Sequence, residues 1–261
     1  MNRLHPLIFL LLVLAGTAQA SALKAEYTLR VEVDAATAAG SSTTDRAAIK
    51  SASLLGAVEV GKIADAGSLA GGIFRLNSVI SGHRIVKLFV SEDALQIVRT
   101  SEAQVRQGHL VTTRYSERRG QREPFGYAAD IAKGRYEFRR ANAQTGSGRL
   151  QFSNVDIAAL PYLFLGRAPP TAPLSVAYTD GRALRNATFQ PCSEPLRIGL
   201  PSSPMVRRRS SVQKTAADPL MEIWIRSTDR FPLRVRLGLS YQCGAIADAW
   251  ITQVPPAFRA G

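Results

Sequence analysis

Residues Tyr27-Thr28-Leu29-Arg30-Val31-Glu32-Val33 decide the fold class of this chain, because apolar and polar side chains alternate along them. A second stretch, Arg234-Val235-Arg236-Leu237-Gly238-Leu239, repeats the alternation near the C terminus. A period of two places successive side chains on opposite faces of a β-strand. Both stretches therefore predict strands with one buried and one exposed face.

Further strand-like stretches are spread along the rest of the chain. They are Ile73–Ile80, Arg84–Val90, Gln104–Tyr115, Arg135–Arg140, Leu174–Tyr178, Leu184–Phe189, Met221–Arg226 and Gly244–Thr252. Asp180-Gly181 predicts a hairpin, and Ser81-Gly82-His83, Lys133-Gly134 and Gly146-Ser147-Gly148 predict further breaks. Strands joined by short turns without regular helices predict an all-β, mostly antiparallel fold. We expect a two-sheet clam or a partly open β-barrel.

One segment, Asp156–Leu165, departs from this pattern and predicts a single short helix. Asp156 is a residue type that caps helices, and Pro161 limits the length of any helix there. Residues 34–53 are rich in Ala, Ser, Thr and Gly, which fits a flexible insertion or a helix over Asp45–Leu55 equally well.

The domain organisation follows from these boundaries. We assign residues 1–20 to a signal peptide, 21–53 to an N-terminal strand and a flexible insertion, 54–254 to one β-rich domain, and 255–261 to a tail. The chain has 261 residues, 46% hydrophobic and 20% charged, a composition that excludes disordered, collagen-like and coiled-coil proteins. A β architecture commonly uses this length as one domain.

The N-terminal leader indicates export. Arg3 precedes an apolar run from Leu7 to Ala15, and Ala18-Gln19-Ala20 follows as a small-x-small cleavage pattern. The apolar run is shorter than the roughly 20 residues that a transmembrane helix needs, so we expect no transmembrane anchor. We predict cleavage after Ala20 and a periplasmic protein, the alternative being a buried N-terminal helix.

The charge is strongly positive, with a formal net value of +13. Most of the cations are arginines, whose guanidinium groups suit phosphate and carboxylate. Runs such as Arg207-Arg208-Arg209 would suggest nucleic acid in another compartment, but an exported chain meets lipid phosphates and acidic glycans instead. We therefore expect no nucleic acid partner, and a lipid or other anionic envelope component as ligand, unless the basic surface is merely solvated.

The two cysteines, Cys192 and Cys243, would lie in an oxidising compartment. A structural disulfide between them is the main interpretation, and two free buried thiols are the alternative. A count of two excludes a disulfide-dense miniprotein and a four-cysteine zinc site.

Several stretches, taken in order, resemble the exported bacterial proteins of the domain-of-unknown-function 3108 family. They are Gly56-Ala57-Val58-Glu59-Val60-Gly61-Lys62-Ile63, Val155-Asp156-Ile157-Ala158-Ala159-Leu160-Pro161-Tyr162-Leu163, Tyr178-Thr179-Asp180-Gly181-Arg182, Glu222-Ile223-Trp224-Ile225 and Arg230-Phe231-Pro232-Leu233-Arg234-Val235. The resemblance spans about Leu54–Thr252, while Gly108-His109-Leu110-Val111-Thr112 and the stretch Asp34–Ser53 depart from the family pattern. It implies a β-rich, two-sheet or clam-like barrel in the cell envelope, and it carries no reaction to transfer.

Motifs with a known chemistry are absent from the sequence. It holds no G-x-S-x-G, H-E-x-x-H, G-x-x-x-x-G-K-[ST], C-x-x-C or G-x-G-x-x-G pattern. His83 and His109 each follow a glycine and are typical of turns rather than of metal or catalytic sites. We expect no enzyme activity, no catalytic residues, no metal and no cofactor.

The aromatic residues indicate where a ligand would bind. Tyr162 and Phe164 lie in an apolar segment, and Trp224 lies on a late strand. These side chains either pack in the core or line a cavity between two sheets that accepts an acyl chain. In the second case Arg207, Arg208 and Arg209 would hold an anionic head group at the rim.

Two functions follow from this sequence. The first is an exported, non-catalytic protein that binds an apolar or anionic amphiphilic envelope ligand. The alternative is a structural or adaptor protein of the cell envelope that docks through its basic surface.

Overall fold

The computed structural model describes residues 21–33, 56–83, 95–150, 154–166, 172–189, 221–240, 245–253 and 255–257. These residues form two sheets and one 3-10 turn, Leu160–Tyr162. The prediction of an all-β, mostly antiparallel, two-sheet fold is confirmed. The expected short helix is this single turn, which contains Pro161.

Fourteen strands are present among the described residues. They are β1 (Ser21–Val33), β2 (Val58–Ala70), β3 (Ile73–Gly82), β4 (Gln96–Arg106), β5 (His109–Arg119), β6 (Phe125–Asp130), β7 (Arg135–Arg140), β8 (Ala143–Arg149), β9 (Asn154–Asp156), β10 (Leu174–Thr179), β11 (Leu184–Phe189), β12 (Met221–Ile225), β13 (Pro232–Ser240) and β14 (Ala245–Ile251).

The large sheet has eleven antiparallel strands in the order β12-β13-β14-β1-β2-β3-β4-β5-β6-β7-β8. Its first strand pairs on one side with the second, Tyr27 facing Ile63, and on the other side with the last, Tyr27 facing Ile251. The sheet is not closed into a barrel, and β8 and β12 form its two edges.

The small sheet has the order β11-β10-β9 and packs over one face of the large sheet. We call this covered face the inner face, and it carries Tyr27, Phe74, Leu76, Ala103 and Tyr115, all buried. Strand β10 pairs antiparallel with β11 and parallel with the short β9. The segment after β9, including the 3-10 turn, adds large apolar side chains to the core: Leu160, Tyr162, Leu163, Phe164 and Leu165.

The buried carboxylate of Asp156 fixes this segment to the large sheet. Its Oδ2 accepts hydrogen bonds from Ser101 Oγ at 2.5 Å and Thr112 Oγ1 at 2.7 Å. Its Oδ1 accepts from the backbone N–H groups of Ala158 at 2.9 Å and Ala159 at 3.0 Å. Asp156 therefore caps the chain as predicted, but the N–H groups it caps precede the 3-10 turn.

Two turns differ from the sequence-based predictions. Gln104–Tyr115 is two strands, joined at Gln107 and Gly108, both of which have positive φ (46° and 77°). This is the backbone of a two-residue hairpin turn, and the sequence analysis missed it because the first turn residue is not glycine.

Gly146-Ser147-Gly148 was wrongly predicted as a break, because it lies inside the edge strand β8. The predicted Asp180-Gly181 hairpin is confirmed, with Gly181 at φ 86° between β10 and β11.

Candidate functional site

A cavity of about 310 Å³ lies between the inner face of the large sheet and the segment Ile157–Pro161. Its size is near the lower end of the range of about 300–1,000 Å³ found for small-molecule sites. Most of the lining is apolar and comes from two groups of strands. One group contributes Met221, Ile223, Val235, Leu237, Ala247 and Ala249, and the other contributes Tyr27, Leu29, Val31, Ile63, Ile80 and Ile97.

Many of these apolar side chains are only half-buried. Leu29, Val31 and Ile63 from β1 and β2, and Val235 and Leu237 from β13, all remain partly accessible although they face the interior of the clam. Accessible apolar surface that is gathered in a cleft marks a binding site more often than apolar residues scattered singly over a surface. The cavity thus presents unfilled apolar surface rather than a packed core.

A polar row crosses the sheet at one end of this cavity. Asp65 on β2 is the register partner of Ser78 on β3, Ser78 is the partner of Arg99 on β4, and Arg99 is the partner of Glu117 on β5. Asp65, Ser78 and Arg99 all line the cavity, together with Arg119 at the end of β5. Four neighbouring strands therefore align polar groups on a face that is otherwise apolar.

Glu117 is the centre of an ion-pair cluster in this row. Its Oε2 accepts from Arg99 Nε at 2.8 Å and from Tyr115 Oη at 2.8 Å, and its Oε1 accepts from Arg119 Nε at 2.5 Å. The side chain of Glu117 is 1% exposed. Burial raises the pKa of Glu117, but Arg99 and Arg119 outweigh this effect and hold it below its usual value. The carboxylate is therefore ionised and fixes both guanidinium groups.

Asp65 is less well satisfied than Glu117. It is buried, and its Oδ2 accepts a hydrogen bond from Tyr162 Oη at 2.6 Å. Its Oδ1 is buried without any hydrogen-bond partner in the described part of the chain. Burial raises the pKa of Asp65, opposed by the hydroxyl groups of Ser78 and Tyr162 and by the charge of Arg99. Asp65 is thus a cavity-lining residue with one buried carboxylate oxygen that has no described partner.

Tyr162, Phe164 and Trp224 were predicted to contact a ligand, and the structure places them around the cavity rather than on its surface. Tyr162 lies behind the lining, where its hydroxyl reaches Asp65 and lies 3.4 Å from Tyr27 Oη. Phe164 packs edge-on against Phe189 of the small sheet, with ring centroids 5.8 Å apart. None of the three side chains belongs to the described cavity lining.

Trp224 lies on the face of β12 opposite to the cavity, because its neighbours Met221 and Ile223 line the cavity. The Arg234 guanidinium lies between two indole rings, 4.5 Å from the Trp224 centroid and 3.9 Å from the Trp250 centroid. The same guanidinium donates to both carboxylate oxygens of Asp248. This stack of cation and aromatic rings holds β12, β13 and β14 together from the outer side.

The remaining predicted positions lie outside the described residues. These are the leader with its cleavage site at Ala20, the insertion or helix at residues 34–53, the strand-like stretch Arg84–Val90, the Arg207–Arg209 run, and both cysteines, Cys192 and Cys243. The disulfide and the arginine rim stay predictions.

Asp65, Ser78, Arg99 and Arg119 are the cavity residues that the sequence analysis missed. Arg99 and Glu117 look like surface residues when each strand is considered alone. The signal that could have found them is the two-residue period itself, because Arg99 shares a face with Ser101 and Ala103, which are buried. An arginine that alternates in phase with small buried residues indicates a polar group on the inner face.

A second, wider groove lies over β5 to β8 and has a volume of about 1010 Å³. Its lining includes Arg114, Arg135 and Arg149, which form no ion pair with any described residue, as well as the paired Arg139 and Glu137. This groove is open and basic, in contrast to the apolar cavity.

Within the described ranges, no helix is long and apolar enough to cross a bilayer. The same residues contain no group of three or more histidine, cysteine, aspartate or glutamate side chains placed to hold a metal ion. Compared with known proteins, the chain matches no family model, no curated protein and no solved structure. The resemblance to the domain-of-unknown-function 3108 family stays a prediction.

Proposed function

We propose that this chain is an exported, non-catalytic binding protein of the bacterial periplasm, whose two-sheet clam holds an apolar or anionic amphiphilic envelope ligand. The cavity supports this proposal, because half-buried apolar side chains surround it and one end carries Asp65, Ser78, Arg99 and Arg119. Sites for small ligands combine an apolar lining with a few convergent polar groups. The leader sequence supports export.

The energetics of the cavity favour an acyl chain over water. Transfer of apolar surface out of water contributes roughly 25 cal/mol per Å², and a ligand in this cavity removes both its own surface and that of Leu29, Val31, Ile63, Val235 and Leu237 from water. A hydrocarbon chain has no hydrogen bonds to lose there. Its head group would face the polar row.

Native mass spectrometry of full-length protein purified from the periplasm tests the proposal, with a variant that fills the cavity. Ala247 on β14 lines the cavity, so Ala247→Trp should abolish co-purifying lipid. Ala64→Trp is the matched control, since Ala64 is exposed on the opposite face of the same sheet. Lipid adducts on the parent and on A64W, but not on A247W, are the expected result. A clean unliganded mass for all three proteins would contradict the proposal.

Export has a separate test. N-terminal sequencing of the mature product should begin at Ser21, because the small-x-small pattern ends at Ala20. A product that begins at Met1 would contradict the periplasmic assignment while leaving the cavity proposal intact.

An adaptor that docks through a basic surface is the second candidate, and the groove over β5 to β8 favours it. Arg114, Arg135 and Arg149 have no described ion-pair partner there, so they are available to an anionic partner. Under this function, changing all three residues to glutamine should weaken binding to vesicles that contain phosphatidylglycerol, and added salt should reduce the difference. The A247W variant should then bind the vesicles as well as the parent does.

A further inference from the structure

We propose that the cavity selects a head group with a single negative charge, the carboxylate of a fatty-acid-type amphiphile, and seats it against Asp65, Arg99 and Arg119. This inference rests on the amphiphile-binding function proposed above and names the ligand class. All three residues line the cavity; the charge of Arg99 acts on Asp65, and Arg99 and Arg119 pair with the same carboxylate, Glu117.

The two guanidinium groups have donors left for a ligand. Arg99 and Arg119 each use the Nε–H to bind Glu117, at 2.8 Å and 2.5 Å respectively. Their Nη groups make no hydrogen bond to any described residue, and a guanidinium carries five N–H donors. Glu117 therefore orients both guanidinium groups and leaves their Nη–H donors for a ligand. Paired N–H donors of this kind suit the two oxygens of a carboxylate.

Asp65 supplies a further hydrogen-bond donor to the ligand head group. Tyr162 Oη donates to Oδ2 of Asp65, so a proton on this carboxyl group belongs on Oδ1. That atom is buried and has no acceptor among the described residues. Burial raises the pKa of Asp65, which disfavours the ionised form there. In the proposed complex the carboxyl group keeps its proton, and its O–H needs an acceptor. An oxygen of the ligand carboxylate is a suitable acceptor.

The charge balance decides between head groups. The groups that act on Asp65 are Tyr27 from β1, Ser78 from β3, Arg99 from β4 and Tyr162 from the 3-10 turn. Through Glu117, Arg99 is joined to Arg119 on β5. In the proposed complex Asp65 carries its proton and Glu117 is ionised, so the two arginines leave one net positive charge. A carboxylate neutralises it, whereas a phosphate dianion would leave a buried negative charge and an ammonium group a second positive one. Unpaired buried charge is strongly unfavourable.

Isothermal titration of the full mature chain with four dodecyl compounds tests this selectivity. Dodecanoate should bind most tightly, with dodecanol, dodecyl phosphate and dodecylammonium each weaker by roughly tenfold or more, as expected for the loss of a charge-assisted hydrogen bond. Equal affinity for dodecanol, or tighter binding of dodecyl phosphate or dodecylammonium, would overturn the head-group assignment. Failure of all four compounds to bind would instead contradict amphiphile binding itself.

Three variants locate the head group. Arg99→Gln and Arg119→Gln should each weaken dodecanoate binding by roughly tenfold and leave dodecanol binding unchanged, so that dodecanol also reports correct folding. Arg75→Gln is the matched control, because Arg75 pairs with Glu102 on the outer face of the same sheet. An equal loss in R75Q, or no loss in both R99Q and R119Q, would contradict the assigned seat.

Asp65→Asn tests the role of the carboxyl proton. The amide stays neutral and keeps a donor, so D65N should bind dodecanoate at least as well as the parent at every pH. The parent should lose dodecanoate affinity as pH rises through the raised pKa of Asp65, because the ionised carboxylate repels the ligand. In a series from about pH 5 to pH 9, titration of dodecanoate itself affects the parent and D65N alike, so the difference between the two proteins reports Asp65. Dodecanol, which stays uncharged, reports any other effect of pH on the cavity. The same pH profile in parent and D65N would show that Asp65 does not contact the head group.

Discussion

Two buried aspartates, Asp65 and Asp156, differ in how completely their carboxyl oxygens are hydrogen-bonded. Asp156 is fully buried, and four hydrogen bonds reach its two oxygens, from Ser101, Thr112 and the N–H groups of Ala158 and Ala159. Asp65 is also buried, but its Oδ1 has no described partner. Burial raises the pKa of both carboxyl groups.

The difference separates a structural carboxylate from one that is available to a ligand. Asp156 ties the chain after β9 to β4 and β5, and no acceptor capacity is left facing a cavity. Asp65 is a cavity-lining residue, and its buried Oδ1 has no described partner. A buried polar atom without a partner is rare and costly in a folded protein, so it requires an explanation. The comparison predicts that Asp156 matters for stability and Asp65 mainly for binding.

Removal of the Asp156 carboxylate should have the largest effect on stability. Asp156→Ala leaves the O–H donors of Ser101 and Thr112 and two backbone N–H groups without their acceptor in the interior, so the free energy of unfolding should fall by roughly 3 kcal/mol or more. Urea unfolding followed by circular dichroism measures this loss. Asp130→Ala is the control, since Asp130 accepts from the Lys133 N–H in an exposed turn, and its loss should be much smaller. Equal losses in the two variants would show that the buried carboxylate of Asp156 contributes no more to stability than the exposed one of Asp130.

Removal of the Tyr162 hydroxyl should have an intermediate effect. Tyr162→Phe removes the 2.6 Å hydrogen bond from Tyr162 Oη to Asp65 Oδ2, while Tyr27 keeps its bond to the Pro232 carbonyl at 3.0 Å. A loss of about 1–2 kcal/mol is expected for one buried hydrogen bond to a carboxyl group. Tyr136→Phe is the matched control, because that ring stacks on Tyr127 and its hydroxyl has no described hydrogen bond. Urea unfolding should show a change of less than about 0.5 kcal/mol for Y136F.

The smallest effect is expected for Asp65→Asn, and its sign depends on pH. The pKa of Asp65 is raised in the folded state, so its contribution to stability is present below the unfolded pKa and is lost as pH rises through the folded value. The asparagine of D65N does not ionise, so this variant does not lose stability in that pH range. The variant should therefore gain stability relative to the parent as pH rises, while differing from it by less than about 1 kcal/mol in acid. A urea midpoint difference that stays constant from acid to alkaline buffer would contradict the raised pKa.

Much of the fold could be predicted from sequence because the strands alternate. The strands Arg135–Arg140 and Leu184–Phe189 have the predicted bounds, and Tyr27–Val33 lies within β1. Strand β6, Phe125–Asp130, was missed, since Gly126 and two alanines give it no strong alternation. Gly146-Ser147-Gly148 was misread because its glycines suggest a turn, whereas an edge strand tolerates them.

The polar end of the cavity could not be predicted in the same way. Asp65 lies between Ala64 and Ala66, and nothing local distinguishes it from an exposed strand residue. Its role depends on the register that aligns β2, β3, β4 and β5, so that Asp65, Ser78 and Arg99 meet across separate strands. Such pairing is a long-range property, fixed by the whole sheet rather than by any one stretch.

The pairing of β1 with β14 imposes an order on how the protein can fold. Strand β1 lies in the middle of the large sheet and depends on a partner, Ala245–Ile251, that lies more than two hundred residues later in the chain. Contacts between such distant segments raise the contact order, which slows folding, because the entropy of closing the loop is lost before the contact forms. Strands β2 and β3 can form their hairpin early, but one edge of β1 stays unpaired until Ala245–Ile251 is in place. Until that pairing forms, the free edge of β1 is open to chaperones and other proteins that bind unfolded chains.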